Sequence, residues 1–378
     1  MTTGRFKIIA VTAFLTVAAF LIMERSVLPP ISARPSTPKG FELLGTIMRL
    51  IKTDYIEERD PARTVDGAYR GLVNSLDALS SYLDRQATAK YLSLDMSFKD
   101  IGVVLFKKYG SFPQVVSLLD NAPAAKSGIK VGDYLSALDD HSTLGMSLLE
   151  TGLYLKDVQE KPVSVKVLRD SSTLWLKIDR ALVAQVPVTY LSAGDPAVLR
   201  IHSLRSRCVD ELRKNILPQI KKQKKPLVLD LRNCHEGEYD EAVKLLGLFL
   251  RGAKIGYFEK KGGAREDLVC PGESELDKIP LAVWVNPGTM GPAELVAGVL
   301  QDRQRCKVIG TETLGLVAKL EHFPLRDASS LLLTSAVFSL PSGKKLWTQG
   351  ITPDTKIPVE DQSQETFLQK TSALLPNP

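Results

Sequence analysis

At 378 residues the chain is too long for one small core, and roughly two to three domains are expected. Its 44% hydrophobic and 24% charged residues, with no low-complexity tract, exclude a disordered or fibrous protein. The net charge of +6 is spread along the chain; its one cluster, Lys221, Lys222, Lys224 and Lys225, closes an apolar helical pattern, where the helix dipole favours cations, so no nucleic acid partner is expected.

Arg5 and Lys7 precede an almost unbroken apolar run, Ile8 to Met23, closed by Glu24 and Arg25. As a helix the run reaches about 24 Å, between a signal-peptide core and the ~30 Å of a bilayer interior. No convincing small-x-small cleavage site follows Met23, and no cysteine lies nearby. The expectation is an uncleaved signal anchor: a single pass through the inner membrane, with the bulk exported to the periplasm or extracellular side.

A Pro- and Ser-bearing linker, Leu28 to Lys39, comes next. Phe41, Leu44, Ile47 and Ile51 have helical spacing, and a second helix is predicted from Pro61 to Leu76, with proline in its first turn. The stretch Ser75 to Leu83 breaks that pattern. From Ile101 the period shortens. Strands are predicted at Val103–Phe106, Gln114–Leu118, Tyr134–Leu138, Val163–Leu168 and Leu174–Ile178, with a helix between Ser147 and Val158. This makes a small sandwich-like unit large enough to be a domain.

Further on, apolar strands at Val198–Ile201, Leu227–Leu231, Leu281–Val285 and Val308–Ile309 alternate with helices at Val209–Ile220, Asp240–Leu250 and Pro292–Gln301. Short, largely apolar strands between helices point to parallel pairing in a buried sheet. Gly350 to Asp354 ends that domain, and the last residues are expected to be a mobile tail. The four cysteines, Cys208, Cys234, Cys270 and Cys306, lack C-x-x-C spacing; no metal site and no cofactor are expected. They could be buried thiols or could pair in three ways, and sequence does not choose.

Four separated blocks resemble the C-terminal processing peptidases, the tail-specific serine proteases. Asp77-Ala78-Leu79-Ser80-Ser81-Tyr82-Leu83 is similar to their D-P-H-S-S-Y-L, and Pro123 to Asp133 to the S-P-A-x-x-A-G-L-K-x-G-D of their PDZ domain. Asp230-Leu231-Arg232-Asn233 with Asp240-Glu241-Ala242-Val243 resembles D-L-R-N-N-P-G-G-x-x-D-E-A-V, and Asn286 to Gly298 resembles N-E-G-S-A-S-A-S-E-I-V-A-G. The resemblance implies an α/β fold: an anchor and linker (1–34), an N-terminal helical segment (35–98), an inserted PDZ domain (99–183), an α/β peptidase-like core with a partly parallel sheet (184–358) and a tail (359–378).

It also implies where the chemistry should be, and the residues depart there. The family's nucleophilic serine falls on Gly291, its general-base lysine on Leu316 and the glutamine that orients the lysine on Leu320. A serine-lysine pair works only if the lysine is held neutral in an enclosed site, and neither group is present. The family's N-P-G-G oxyanion turn is Cys234-His235-Glu236-Gly237, which brings a carboxylate to the place where negative charge develops. Leu316 and Leu320 are expected to fill the vacated space with hydrocarbon. The chain is therefore expected to be a degenerate, non-catalytic relative. The alternative is an active endopeptidase with a displaced pair, Thr289 and Lys319; Cys234 beside His235 has no orienting partner and is set aside.

The peptide groove that the resemblance implies lies along Ile101, Gly102, Val103, Val104 and Leu105, where an added strand and its terminal carboxylate would bind. Leu148, Leu149, Leu153 and Leu155 face it or form the domain's own core. The partners expected are protein C-termini or unfolded polypeptide, with a homo-oligomer or an active peptidase relative as further possibilities.

Overall fold

The structure, a computed structural model, describes residues 39–57, 60–94, 98–182, 186–272, 274–358 and 361–375. The chain divides into two compact units, Met1–Thr64 and Val65–Pro378. The expected single-pass placement in the inner membrane is corrected: among the described residues no helix is long and apolar enough to cross a membrane. The expected anchor, Ile8–Met23, lies outside the described residues.

The first unit contributes α1 (Lys39–Asp54), whose Leu43, Leu44, Ile47 and Leu50 are exposed. The second helix, α2 (Pro61–Asn74), carries the chain into the second unit. There the stretch that breaks the helical pattern is folded by Asp77, whose carboxylate accepts from Leu79 N, Ser80 N and Ser80 Oγ. It leads into the buried strand β1 (Ser81–Leu83) and then α3 (Arg85–Leu92), which Asp84 caps through Ala87 N.

Next come β2 (Val103–Phe106), β3 (Gln114–Leu118), α4 (Pro123–Lys126), β4 (Tyr134–Leu138), β5 (His141–Ser142), α5 (Leu148–Leu155), β6 (Val163–Arg169) and β7 (Ser172–Ile178). Their sheet is antiparallel in the order β2-β3-β4-β6-β7, with β5 on β4, so β2 is an edge strand. The alternation of β6 turns Val163, Val165 and Val167 into a separate core with Ile101, Val115 and Leu155. Ser147 and Glu150 form a capping box at the start of α5.

The remainder begins with β8 (Val188–Leu191), β9 (Ala197–Ile201), α6 (Cys208–Asn215), α7 (Leu217–Gln223), β10 (Leu227–Asp230) and α8 (Tyr239–Phe249). It continues with β11 (Lys254–Lys260), β12 (Arg265–Val269), β13 (Leu281–Val285), α9 (Pro292–Asp302), β14 (Lys307–Gly310), β15 (Ala318–Pro324), β16 (Ser330–Ser339), β17 (Thr355–Lys356) and α10 (Gln364–Ser372). One sheet runs β17-β14-β13-β10-β9-β8, parallel except for β8 against β9. Strands β10 and β13 are buried along their whole length, as largely apolar strands covered on both faces should be. The other sheet, β1-β16-β11-β12 with β15 on β16, is antiparallel and was not legible in the sequence.

Two local expectations change. The single helix predicted over 209–220 is two, because Pro218 in the first turn of α7 cannot donate back into α6. The expected tail carries α10, which packs on the parallel sheet. Phe367 is fully buried, its ring centroid 5.1 Å from that of Trp284. The Arg232 guanidinium lies 4.7 Å from the Trp284 ring and 4.3 Å from that of Phe367, while Asp230 binds it in bidentate fashion. Phe367→Ala is expected to cost about 3–5 kcal/mol in urea unfolding, as for other buried aromatic truncations. A loss below ~0.5 kcal/mol would mean that the helix is a loose appendage.

Candidate active site

The site is built where β10 and β13 end side by side and their turns meet. Asn286, just after β13, accepts from Asn233 N and Gly288 N, each at 3.0 Å, and its Nδ2 donates to Asn233 Oδ1 at 2.7 Å. Asn233 takes a left-handed conformation, φ 64°, which asparagine tolerates better than most residues. The chain then reaches Gly291, which starts α9 with φ 53° and ψ −117°. L-residues rarely adopt that geometry; it is the kind of strained strand-to-helix turn that presents a nucleophile. A Cβ added there would meet only Leu316 O and Tyr239 Oη, each at 3.9 Å. The backbone for a serine is in place, with room for it, and the side chain is absent.

Leu316, whose carbonyl oxygen is the one just named, is 7% exposed. Its segment is held by Glu294, a fully buried carboxylate on α9 that accepts from Thr313 Oγ1, from Gly315 N at 2.7 Å and from Leu316 N at 2.8 Å. Burial pushes the Glu294 carboxyl up to about 7, against the pull of its three donors. Leu316 forms one apolar cluster with Val104 and Met290, against which Phe106, Val116, Leu119 and Trp347 pack. The base position is thus filled with hydrocarbon, as expected. Leu320 is a correction: it lies on β15 beyond a register shift and is 42% exposed, so it fills nothing.

The proposed substitutes for catalysis are occupied elsewhere. Thr289 is fully buried; its hydroxyl donates to Leu231 O at 2.8 Å and accepts from Asn286 N at 3.1 Å. The Lys319 ammonium is bound by Glu266 at 2.7 Å and lies over the Phe258 ring. Cys234 is fully buried, which pushes its thiol far above the thiolate range, and His235 Nδ1 is paired with Asn233 O at 3.0 Å. All four cysteines are free thiols.

Glu236 also differs from expectation, because its charge is not left to oppose an oxyanion. It is paired with Arg205 and, at 3.2 Å, with Lys156. Burial works against its ionisation, but His235, Lys156 and Arg205 outweigh burial and bring it down to about 2.

The expected peptide groove is crowded. Ile101, Gly102, Val104 and Leu105 are buried, and Val103 is partly so. The amides of Ile101 and Gly102, expected to take a peptide's carboxylate, already donate to Asp100 Oδ1 at 2.6 and 3.3 Å. On α5, Leu155 lies in the core of its own unit and Leu148 packs against that core, while Leu153 clusters with Leu83 and Leu332, with Leu149 against them. A cavity of 1190 Å³ lies apart from Gly291 and Leu316; its lining includes Arg70, Asp84, Lys107, His141 and Arg180.

Residues 195–357 match the model of peptidase family S41. The carboxy-terminal-processing protease of Bartonella bacilliformis is 29% identical over 93% of this chain and 81% of its own length. The carboxy-terminal processing protease CtpA of Bacillus subtilis is 29% identical over 96% of this chain and 79% of its own. The photosystem II D1 C-terminal processing protease has the same fold, with a TM-score of 0.71 and 24% identity over 89% of this chain and 91% of that one.

Glu294 supplies a measurable signature. Its carboxyl sits near 7 in the folded chain and near 4.5 when unfolded, so the folded state holds the extra proton between those values. Its contribution to stability is full below about pH 4.5 and is lost as pH rises through 7. Glu294→Gln is expected to flatten that part of the stability profile in urea unfolding at stepped pH. An unchanged slope would place the titration elsewhere.

Proposed function

We propose, for a chain that belongs to peptidase family S41 as a homologue of the C-terminal processing proteases, that peptide-bond cleavage has been lost and that the fold serves as a scaffold or regulator engaging polypeptide. The observation that carries this reading is the pairing of Gly291 with Leu316. A nucleophile's backbone turn is present without an oxygen, and the base position is sealed in an apolar cluster. Removing only the serine of a serine protease costs on the order of a millionfold in turnover. The hydroxyls nearby are engaged: Thr289 is spent on Leu231 and Asn286, and Tyr239 Oη donates to Ala318 O at 2.9 Å.

Protein C-termini remain the ligand class proposed for the edge of β2, in the unit whose sequence resembles a PDZ domain. Such a ligand has to displace the Asp100 carboxylate from the amides of Ile101 and Gly102. Binding of a free carboxylate peptide should therefore be weak in the native chain.

Incubation of the purified chain with an unfolded protein ending in apolar residues is expected to give no cleavage above background, and Thr289→Ala is expected to change nothing. Cleavage that disappears in Thr289→Ala would overturn the non-catalytic reading. For binding, Asp100→Ala is expected to tighten a peptide with a free carboxylate about tenfold over the same peptide amidated. Equal affinity for acid and amide in that variant would remove the β2 edge as a carboxylate site.

A further inference from the structure

A sheet edge left open invites pairing with another chain, and folded proteins usually shorten, bend or charge such edges. Most edges of this chain carry one of these devices. On β2 the register shifts after Val104, and Asp100 occupies the amides of Ile101 and Gly102. Strand β15 shifts after Lys319 and ends in Pro324, and β12 opens with Arg265, Glu266 and Asp267. The outer strands β1, β5, β8 and β17 are only two to four residues long. Strand β7 differs. Among the described residues it pairs only with β6, residue for residue from Arg169↔Ser172 to Val163↔Ile178, with no bulge over its seven residues. Leu174, Leu176 and Ile178 stand beside Val167, Val165 and Val163 and so lie on the core side of the sheet. Leu174 is nonetheless 37% exposed, although Val167 beside it is fully buried. On the outer side Trp175 is 56% exposed, with the Lys166 ammonium 5.7 Å from its ring.

We propose that two copies of this chain join through β7, antiparallel about a two-fold axis at Trp175. The strand is its own complement there. In the register that pairs all seven residues, Leu174 meets the partner's Leu176, Thr173 the partner's Lys177 and Trp175 the partner's Trp175. The leucines continue the apolar side over the exposed part of Leu174, the two indoles meet on the outer side, and no like charges are opposed. A residue on the axis faces its own copy, so the contact closes at two chains. An arbitrary extended polypeptide would satisfy the same backbone groups without this match of side chains, which is why a second copy is the occupant assigned. One strand is a small interface, so the association is reversible. The joined sheet runs β2-β3-β4-β6-β7 and then through the same order reversed, leaving a β2 edge at each end. The pairing does not depend on whether the chain cleaves peptide bonds.

Sedimentation of the full chain across a dilution series measures the association. Trp175→Glu sets two carboxylates opposite each other across the axis, while within one chain the new carboxylate faces Lys166, so the fold should hold. Its association is expected to be weaker by about tenfold, and Trp175→Lys is expected to weaken association likewise. Mixing the two variants sets carboxylate against ammonium and should restore association in the mixture alone. In the unchanged chain, β7 amides that point away from β6 should gain protection from exchange as concentration rises. A chain that stays monomeric throughout the series overturns the proposal, as does association that Trp175→Glu leaves unchanged. Two variants that each lose association and do not regain it when mixed overturn the pairing about Trp175. Protection of β7 that appears only on adding an unfolded polypeptide gives the edge to a different occupant and overturns the second copy.

Discussion

The side-chain amide of Asn286 is the junction on which the site depends. Its oxygen accepts from Asn233 N and Gly288 N, and its nitrogen donates to Asn233 Oδ1 and, at 3.3 Å, to Ser117 Oγ. Two bonds accepted and two donated exhaust what an amide can do, so a buried polar group that would otherwise be costly is fully satisfied. The same four bonds fasten the turn after β10 to the turn after β13 and both to the β2–β7 unit. Everything at the site is positioned from there: Thr289 folds back onto Leu231, Gly291 opens α9, and Glu294 reaches over to clamp the Leu316 segment.

The backbone of the site is built independently of the side chains it presents. Backbone strain of the kind found at Gly291 costs a side-chain-bearing residue of order 1–3 kcal/mol, and surrounding structure must enforce it. Glycine adopts it almost freely, so the turn persists without the strain. Glu294 likewise keeps its three donors although the segment it holds presents a leucine. The turn at Gly291 and the hydrogen bonds of Glu294 are thus in place without a hydroxyl at 291 or an amine at 316.

Much of this was legible in the sequence. The largely apolar runs of β10 and β13 showed a buried parallel sheet, and the motif blocks singled out Gly291 and Leu316, whose carbonyl oxygen lies 3.9 Å from where a Cβ on Gly291 would stand. The antiparallel sheet was not, because β12 is largely charged and β16 is half apolar without strict alternation, so neither has a clear period. The exposure of Leu320 followed from a register shift after Lys319, and a one-residue slip reverses the faces of a strand. The ion pairing of Glu236 depends on Lys156 and Arg205, 80 and 31 residues away, and no local pattern shows such a pairing. The helix α10 was missed for a similar reason: its buried Phe367 is recognisable only beside Trp284 and Arg232.

Leu316 also changes how this part of the fold meets water. Leu316, Met290 and Val104 are buried together, and each such side chain favours burial by about 1.5–3 kcal/mol. The Glu236–Lys156 pair adds little, since partly exposed ion pairs contribute at most ~1 kcal/mol, but it ties the end of α5 to the turn after β10. Where a serine-lysine pair needs an amine held neutral in an enclosed site, residue 316 of this chain contributes an apolar contact, which is stable without any polar partner.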